Sequence, residues 1–186
     1  MNNRKWMLKE ILRIEAIENE LDKKTQRDKL DEIIEKISEL NWLEHERQYC
    51  MLQQNIKSRD IDICESSVSS KKLKQKWKEV FLSKVNKQEQ KKIYINQYLW
   101  HGFSYEKVDC ISKGSARRAL INHKKNEVFV FYQHNEEAYT YKNASKLKAS
   151  DFDMDDDVYV VDKDFQWTYV KTHETMCGPY FAKSKK

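Results

Sequence analysis

The stretch that decides the fold is 157–172, which reads DVYVVDKDFQWTYVKT. Its two ends are rich in β-branched and aromatic residues, and the polar sequence DKD lies between them. Such residues favour strands, and a short polar connection favours a hairpin. The same pattern occurs in EVFVFYQH at 127–134 and AYTYK at 138–142, with NEE between them. These segments predict a small sheet of four mainly antiparallel strands.

Two amphipathic patterns lie near the N-terminus. Apolar residues recur mostly every three or four positions in 7–21 and again in 30–43, which is typical of helices. Between the patterns, Thr25 with Asp28 resembles a helix-start signal. We therefore expect an antiparallel hairpin that breaks near Lys23–Thr25, with one continuous helix over 4–56 as the alternative.

The remaining organisation follows from a change in pattern after the hairpin. Residues 57–70, KSRDIDICESSVSS, lose the apolar period and gather Ser and Asp, so they are predicted to be a linker. Helical patterns then precede the strands. We predict an α+β protein with a helical hairpin over 1–56, which dimerises or docks, and an α+β domain over 71–182.

Composition restricts the function. The chain has 186 residues, of which 35% are charged, and only three are Gly. So few glycines exclude a P-loop and a dinucleotide-binding fingerprint, and no cofactor is predicted. The sequence contains no signal-peptide pattern and no stretch of ~18 apolar residues, so we expect a cytoplasmic protein without a membrane partner. The four cysteines form no CxxC pair and are predicted to be free thiols.

Several separate blocks carry a resemblance to a known family. They are LWHGFSYEKV (99–108), VFVFYQH (128–134), NASKLKASDF (143–152), VYVVDKDFQWTYVKTHE (158–174) and GPYF (178–181). In this order they resemble DUF4275, an uncharacterised family of Bacillus and related bacteria, over about residues 70–182. The resemblance implies a compact bacterial cytoplasmic domain. It implies no activity, cofactor or catalytic residues.

The pair His173-Glu174 is the candidate for catalysis. It follows the predicted strand QWTYVKT directly, and functional residues favour strand ends. A histidine titrates near neutrality and can act as a general base. However, adjacent side chains on a strand diverge, and no nucleophile motif accompanies the pair. We therefore expect that His173 only bonds a backbone carbonyl. A small hydrolase centred on these two residues is a secondary alternative.

A metal site is not predicted. The five histidines form no HxH or HxxxH pair. The acidic run places aspartates at alternate positions of a calcium-loop register, namely Asp151, Asp153, Asp155 and Asp157, with Asp162 at the last position. Asp156 stands where such loops need Gly, and the run leads into a strand. We interpret it as a solvated acidic turn or as an acidic patch that faces a basic partner.

Basic residues raise nucleic acid as an alternative partner. Residues 71–92 contain nine Lys against Glu79 and Glu89. Lysines on a helix can track phosphates, and the candidates are Lys72 and Lys76, with Arg117 and Arg118 on a separate helix. The lysines surround the helix instead of forming one stripe, so this alternative ranks below protein binding.

The aromatic residues lead to the principal hypothesis. Tyrosines and tryptophans in the predicted strands exceed what one sheet face usually buries, and these residue types anchor protein interfaces. We predict a non-enzymatic module that binds and blocks a protein, as immunity proteins, antitoxins and phage-encoded inhibitors do. The proposed contact residues are Trp167, Tyr169, His173, Glu174 and Tyr180, with Asp153, Asp155 and Asp156 as steering charges.

Overall fold

A computed structural model describes residues 3–184, and the chain divides into two compact units after Met51. In the first unit, α1 spans Asn3–Glu15 and α2 begins at Glu20. The helix α2 extends over Glu20–Lys57, so its last turns belong to the second unit.

The first unit is an antiparallel hairpin, and the alternative of one continuous helix is wrong. Glu15, at the end of α1, forms ion pairs with Lys23 at 3.1 Å and Arg27 at 2.7 Å on α2. Ile14 and Leu30 are its buried apolar residues, with 3% and 6% of their surface exposed. Other large apolar side chains of the hairpin are exposed, including Leu12, Leu40, Trp42 and Leu43. A role for the hairpin in dimerisation or docking stays a prediction.

The break in the hairpin lies at 16–19, several residues before the predicted Lys23–Thr25. The side-chain oxygen of Asn19 accepts hydrogen bonds from the backbone N–H groups of Leu21 and Asp22, both at 3.0 Å. These bonds satisfy amides that a helix start leaves unpaired. Thr25 instead donates to the carbonyl of Leu21 inside α2. Asn19, and not Thr25, therefore caps the helix.

The second unit contains one antiparallel sheet of seven strands, and the prediction of four strands is wrong. The strands are β1 (Asp62–Glu65), β2 (Ile111–Ser112), β3 (Val128–Tyr132), β4 (Ala138–Lys142), β5 (Val158–Asp162), β6 (Trp167–Lys171) and β7 (Tyr180–Lys183). They lie in the order β1-β4-β3-β5-β6-β7-β2. The predicted strands are β3 to β6. The other three are short, and β1 lies inside the predicted linker 57–70, where it pairs with β4.

Helices cover both faces of this sheet. They are α3 (Ser70–Phe81), α4 (Lys87–Lys92), α5 (His101–Ser104) and α6 (Lys113–Asn122), with 3-10 helices at Ala144–Lys146 and Ala149–Phe152. One core places Trp77 of α3 against Tyr159 and Val161. The other places Leu120 of α6 against Val158 and Val160. Because successive strand residues point to opposite faces, β5 is buried on both sides.

Hydrogen bonds tie the helical layer to the sheet. The indole Nε1 of Trp77 donates to the hydroxyl of Thr168 at 2.9 Å, deep inside the protein. The ammonium of Lys125 is also buried and donates to the carbonyls of Leu120, Ile121 and His123 at the end of α6.

Among the described helices, none combines the length and hydrophobicity that crossing a membrane needs.

Candidate functional site

One end of the sheet brings together residues that are distant in sequence. Tyr132, the last residue of β3, pairs with Val158, the first residue of β5, which also pairs with Lys171, the last residue of β6. The residues just beyond these ends are therefore neighbours. His134 and His173 lie there, together with Asp157.

Asp157 organises this end of the sheet. Only 4% of the residue is exposed. Its Oδ1 accepts hydrogen bonds from the Trp100 indole at 2.8 Å and the His173 backbone N–H at 3.2 Å. Its Oδ2 lies 2.8 Å from Nδ1 of His173. Since a carboxylate only accepts, Nδ1 is the donor of this bond, and in the neutral imidazole Nε2 then carries the lone pair. The His173 side chain is 38% exposed, so the structure fixes a basic nitrogen at a surface position.

Aromatic rings surround His173. The ring of Tyr98 has its centroid 5.2 Å from that of His173, 5.2 Å from that of His101 and 5.1 Å from that of His134. His101 in turn lies 5.4 Å from Tyr105. We call Tyr98, His101, Tyr105, His134 and His173 the histidine–tyrosine cluster. All five residues are exposed or half-exposed.

The cluster rests on a buried base. Trp100 is buried, and its ring lies 4.5 Å from that of His101 and 5.9 Å from that of His173. Nδ1 of His101 donates to the carbonyl of Ile93 at 2.7 Å, because a carbonyl can only accept. Two histidines of the cluster, His101 and His173, therefore have fixed ring orientations, and each uses Nδ1 as the hydrogen-bond donor.

Acidic groups lie beside the cluster. Asp156 precedes Asp157, and its side chain is 73% exposed. An oxygen of Glu174 lies 3.9 Å from Nε2 of His173. Lys171 partly offsets these charges, since its ammonium lies 3.2 Å from Asp156 and also donates to the backbone carbonyl of Asp155.

The family model described as "Domain of unknown function (DUF4275)" matches residues 50–181. The chain belongs to the DUF4275 family. The match begins before the expected boundary at about residue 70 and includes β1 as well as the whole histidine–tyrosine cluster. No match was found among curated proteins or solved structures.

The predicted contact set of the DUF4275 domain includes three aromatic side chains that we expected to face outwards. This expectation is wrong. Trp167, Tyr169 and Tyr180 have 2%, 0% and 7% of their surface exposed. The pattern of β6 alternates, but helices cover both faces, so neither set of side chains reaches solvent. By contrast, His173 and Glu174 are exposed just after β6, as expected.

The steering carboxylates also differ from the prediction. Asp153 accepts two hydrogen bonds from the guanidinium of Arg117, at 2.5 and 2.8 Å. Asp155 is buried and accepts a bond from the Tyr132 hydroxyl at 3.2 Å. Only Asp156 of the three is largely exposed without a bidentate partner. The sequence does not show which acidic residues pair within the domain, and the steering role of the three aspartates stays a prediction.

The nucleic-acid set does not form one surface. Lys72 and Lys76 lie on α3, whereas Arg117 and Arg118 lie on α6. These two helices cover opposite faces of the sheet. Lys76 also lies 4.4 Å above the ring of Phe165, and Arg117 is bound by Asp153. The sequence grouped these residues by charge, whereas the fold separates them.

The acidic run does not build a calcium loop. Asp151 bonds to Arg59 at 2.7 Å, Asp153 to Arg117, and Asp157 to His173, so the carboxylates point to different partners. Within residues 3–184, no group of three or more His, Cys, Asp or Glu side chains is arranged to hold a metal ion.

Asp155 gives the domain a pH-dependent stability. Burial raises the pKa of its carboxyl from 3.8 to about 6. Between these values the folded protein holds a proton that the unfolded chain has released, so the free energy of unfolding decreases as pH rises. We expect Asp155→Asn to stabilise the domain at pH 7 on the order of 2 kcal/mol, and much less at pH 4.

Urea denaturation at both pH values measures this effect. Asp156→Asn is the matched control, because its exposed carboxyl should change stability by less than about 1 kcal/mol at either pH. Equal effects of Asp155→Asn at pH 4 and pH 7 would contradict the assignment.

Proposed function

We propose that this DUF4275 domain is a non-enzymatic protein-binding module whose histidine–tyrosine cluster recognises a basic segment of its partner. The observation that carries the proposal is a group of five exposed or half-exposed aromatic rings that pack around Tyr98 and His101 at one end of the sheet. Rings with an apolar body and a polar edge are the side chains that anchor protein interfaces.

Preorganisation supports the proposal. Asp157 fixes His173, the Ile93 carbonyl fixes His101, and the ring of Tyr98 packs against three imidazoles. An interface side chain that is already ordered loses less conformational entropy when the complex forms. The cluster can therefore contribute binding free energy at a small entropic cost.

Charge supports a basic partner. Glu174 lies beside the ring of His173, and both Glu174 and Asp156, the residue before Asp157, are exposed. A lysine or arginine placed on the face of Tyr98 would gain a cation–π interaction, and the carboxylates would attract it from a distance. Blocking of a protein target, as immunity proteins, antitoxins and phage-encoded inhibitors achieve, would follow from binding of this kind.

Hydrolysis is the second candidate, and one observation favours it. Asp157 holds His173 as a carboxylate holds the histidine of a catalytic triad, with the lone pair of Nε2 directed to the surface. In that role Nε2 would take a proton from water, the water oxygen would attack an ester carbonyl, and the proton would pass to the departing alkoxide. Asp157 and not Glu174 would orient the base.

Replacing Tyr98 tests the binding proposal. An array of short peptides rich in Arg and Lys, with matched peptides rich in Glu, provides the probes. We expect the wild-type domain to select basic peptides, and Tyr98→Ala to weaken the best of them about tenfold or more in fluorescence anisotropy.

Tyr94→Ala is the control. Tyr94 belongs to the same connection between α4 and α5 and is exposed, but it makes none of the ring contacts of the cluster. Equal affinities of the Tyr98 variant and the wild type, or no preference for basic peptides, would overturn the proposal.

A further inference from the structure

A second surface lies between α3 and α4. There the protein forms an open cavity of about 410 Å³. Three lysines line it, Lys78 from α3 and both Lys87 and Lys91 from α4. The polar lining also includes the Ser83 hydroxyl and three amide side chains, Gln75, Gln90 and Asn96.

The protein neutralises only part of the positive charge of this cavity, because one carboxylate, Glu79, lines it against three lysines. None of its three lysine ammonium groups forms an ion pair with another of the described residues. The Glu79 carboxylate accepts a hydrogen bond from the neutral Gln75 amide at 2.9 Å and keeps its charge, so the lining remains net positive. Glu89 bonds to Asn86 at 3.0 Å and lies 3.7 Å from Lys107, outside the cavity.

The floor of the cavity is apolar. Leu82 and Val85 line it and belong to the core beneath α3. A volume of this size falls within the range of about 300–1,000 Å³ that small ligands occupy, and cavities of this kind combine an apolar base with a few polar groups. Lysine ammonium groups and amide N–H groups are donors suited to phosphate oxygens.

We propose that the α3–α4 cavity binds a phosphate-bearing ligand of nucleotide size. The lysines would contact the phosphate oxygens, and the apolar floor would contact the sugar or base. This site differs from the predicted nucleic-acid set, because Lys72 and Lys76 do not line the cavity. It is also separate from the histidine–tyrosine cluster, so it does not depend on the protein-binding proposal.

The lysines outside the cavity provide a matched control. Lys72→Glu changes the net charge of the domain by the same amount as Lys87→Glu or Lys91→Glu, and all three residues are exposed. Nonspecific attraction of anions would therefore decrease equally in the three variants. A specific binding site would lose affinity only when a lysine that lines it is replaced.

Calorimetric titration of the full chain tests the proposal with three probes, namely pyrophosphate, ATP and single-stranded oligothymidylate. We expect Lys87→Glu and Lys91→Glu each to raise Kd about tenfold, and Lys72→Glu to change it less than about twofold. Binding of ATP or pyrophosphate would identify a free phosphate compound as the source. Binding of the oligonucleotide alone would identify a nucleic-acid backbone.

Two results would overturn the proposal. One is the failure of all three probes to bind, and the other is an equal loss of affinity in the Lys72 variant. Tyr98→Ala serves as a further check, because a phosphate site in the α3–α4 cavity should keep its affinity when the histidine–tyrosine cluster is altered.

Discussion

Trp167→Ala should lower the free energy of unfolding by about 3–5 kcal/mol, because it removes a large buried ring and leaves a cavity. Trp167 is 2% exposed on β6. Its ring stacks on Phe181, with centroids 5.6 Å apart, and lies 5.3 Å from the ring of His123. Urea denaturation followed by circular dichroism measures the loss.

Tyr169→Phe is the matched control on the same strand. Tyr169 is fully buried, and its hydroxyl has no hydrogen-bond partner among the described residues. Burial also raises the pKa of this hydroxyl to about 12. Removing a buried group without a partner should leave stability unchanged or raise it by about 1 kcal/mol.

The two variants separate a core role from a surface role. If β6 presented its rings to a partner, Trp167→Ala would keep wild-type stability and lose only binding. The burial of both faces requires the opposite result, a destabilised protein. A Trp167→Ala domain that is as stable as the wild type would contradict the packing described for β6.

The strands β3 to β6 were predictable because β-branched and aromatic residues fill them and short polar turns join them. The burial of β6 was not predictable from the same residues. A strand covered on both faces and a strand that displays one face can share a pattern when Tyr, Trp and Thr are present. Trp167 and Thr168 point to opposite faces, and the fold buries both.

The candidate site was predictable only in part. His173 followed a predicted strand, which placed it at a sheet end. Extending the register of the β5–β6 hairpin by one residue beyond the pair Val158 and Lys171 places Asp157 opposite Thr172, next to His173. Tyr98 lies outside any predicted strand, and no local pattern connects it to His134 or His173. Its position depends on how the α4–α5 connection packs, which is a tertiary property.

Replacing Asp157 should have the second large effect. Asp157→Ala removes the acceptor for the Trp100 indole and for two N–H groups of His173. The Trp100 indole is a buried donor, which costs about 1–3 kcal/mol when left unpaired, and the partly buried N–H groups of His173 add less, so we expect a loss of about 2–4 kcal/mol in unfolding free energy. Asp157 also has φ of 50°, a conformation that Ala tolerates less well than Asp or Asn. Thermal and urea denaturation would measure the loss.

Asp157→Asn removes the negative charge of the side chain and keeps its shape. Asparagine tolerates the same backbone conformation, and its Oδ1 can still accept from Trp100 and the backbone of His173. Its amide nitrogen then faces Nδ1 of His173 and can only donate. The proton of His173 should therefore move from Nδ1 to Nε2, which nitrogen-15 NMR detects as an exchange of the two ring signals. An unchanged tautomer in the variant would contradict the hydrogen bond between Asp157 and Nδ1.

The same variant discriminates between the two candidate functions. A general base needs the lone pair on Nε2, so a hydrolase would lose nearly all turnover of a p-nitrophenyl ester in Asp157→Asn. Wild-type turnover equal to that of His173→Ala would remove hydrolysis as a candidate. Recognition of a basic segment depends instead on the positions of the rings and on the charges of Asp156 and Glu174. If the domain only binds protein, the wild type should select basic peptides and should show no esterase activity.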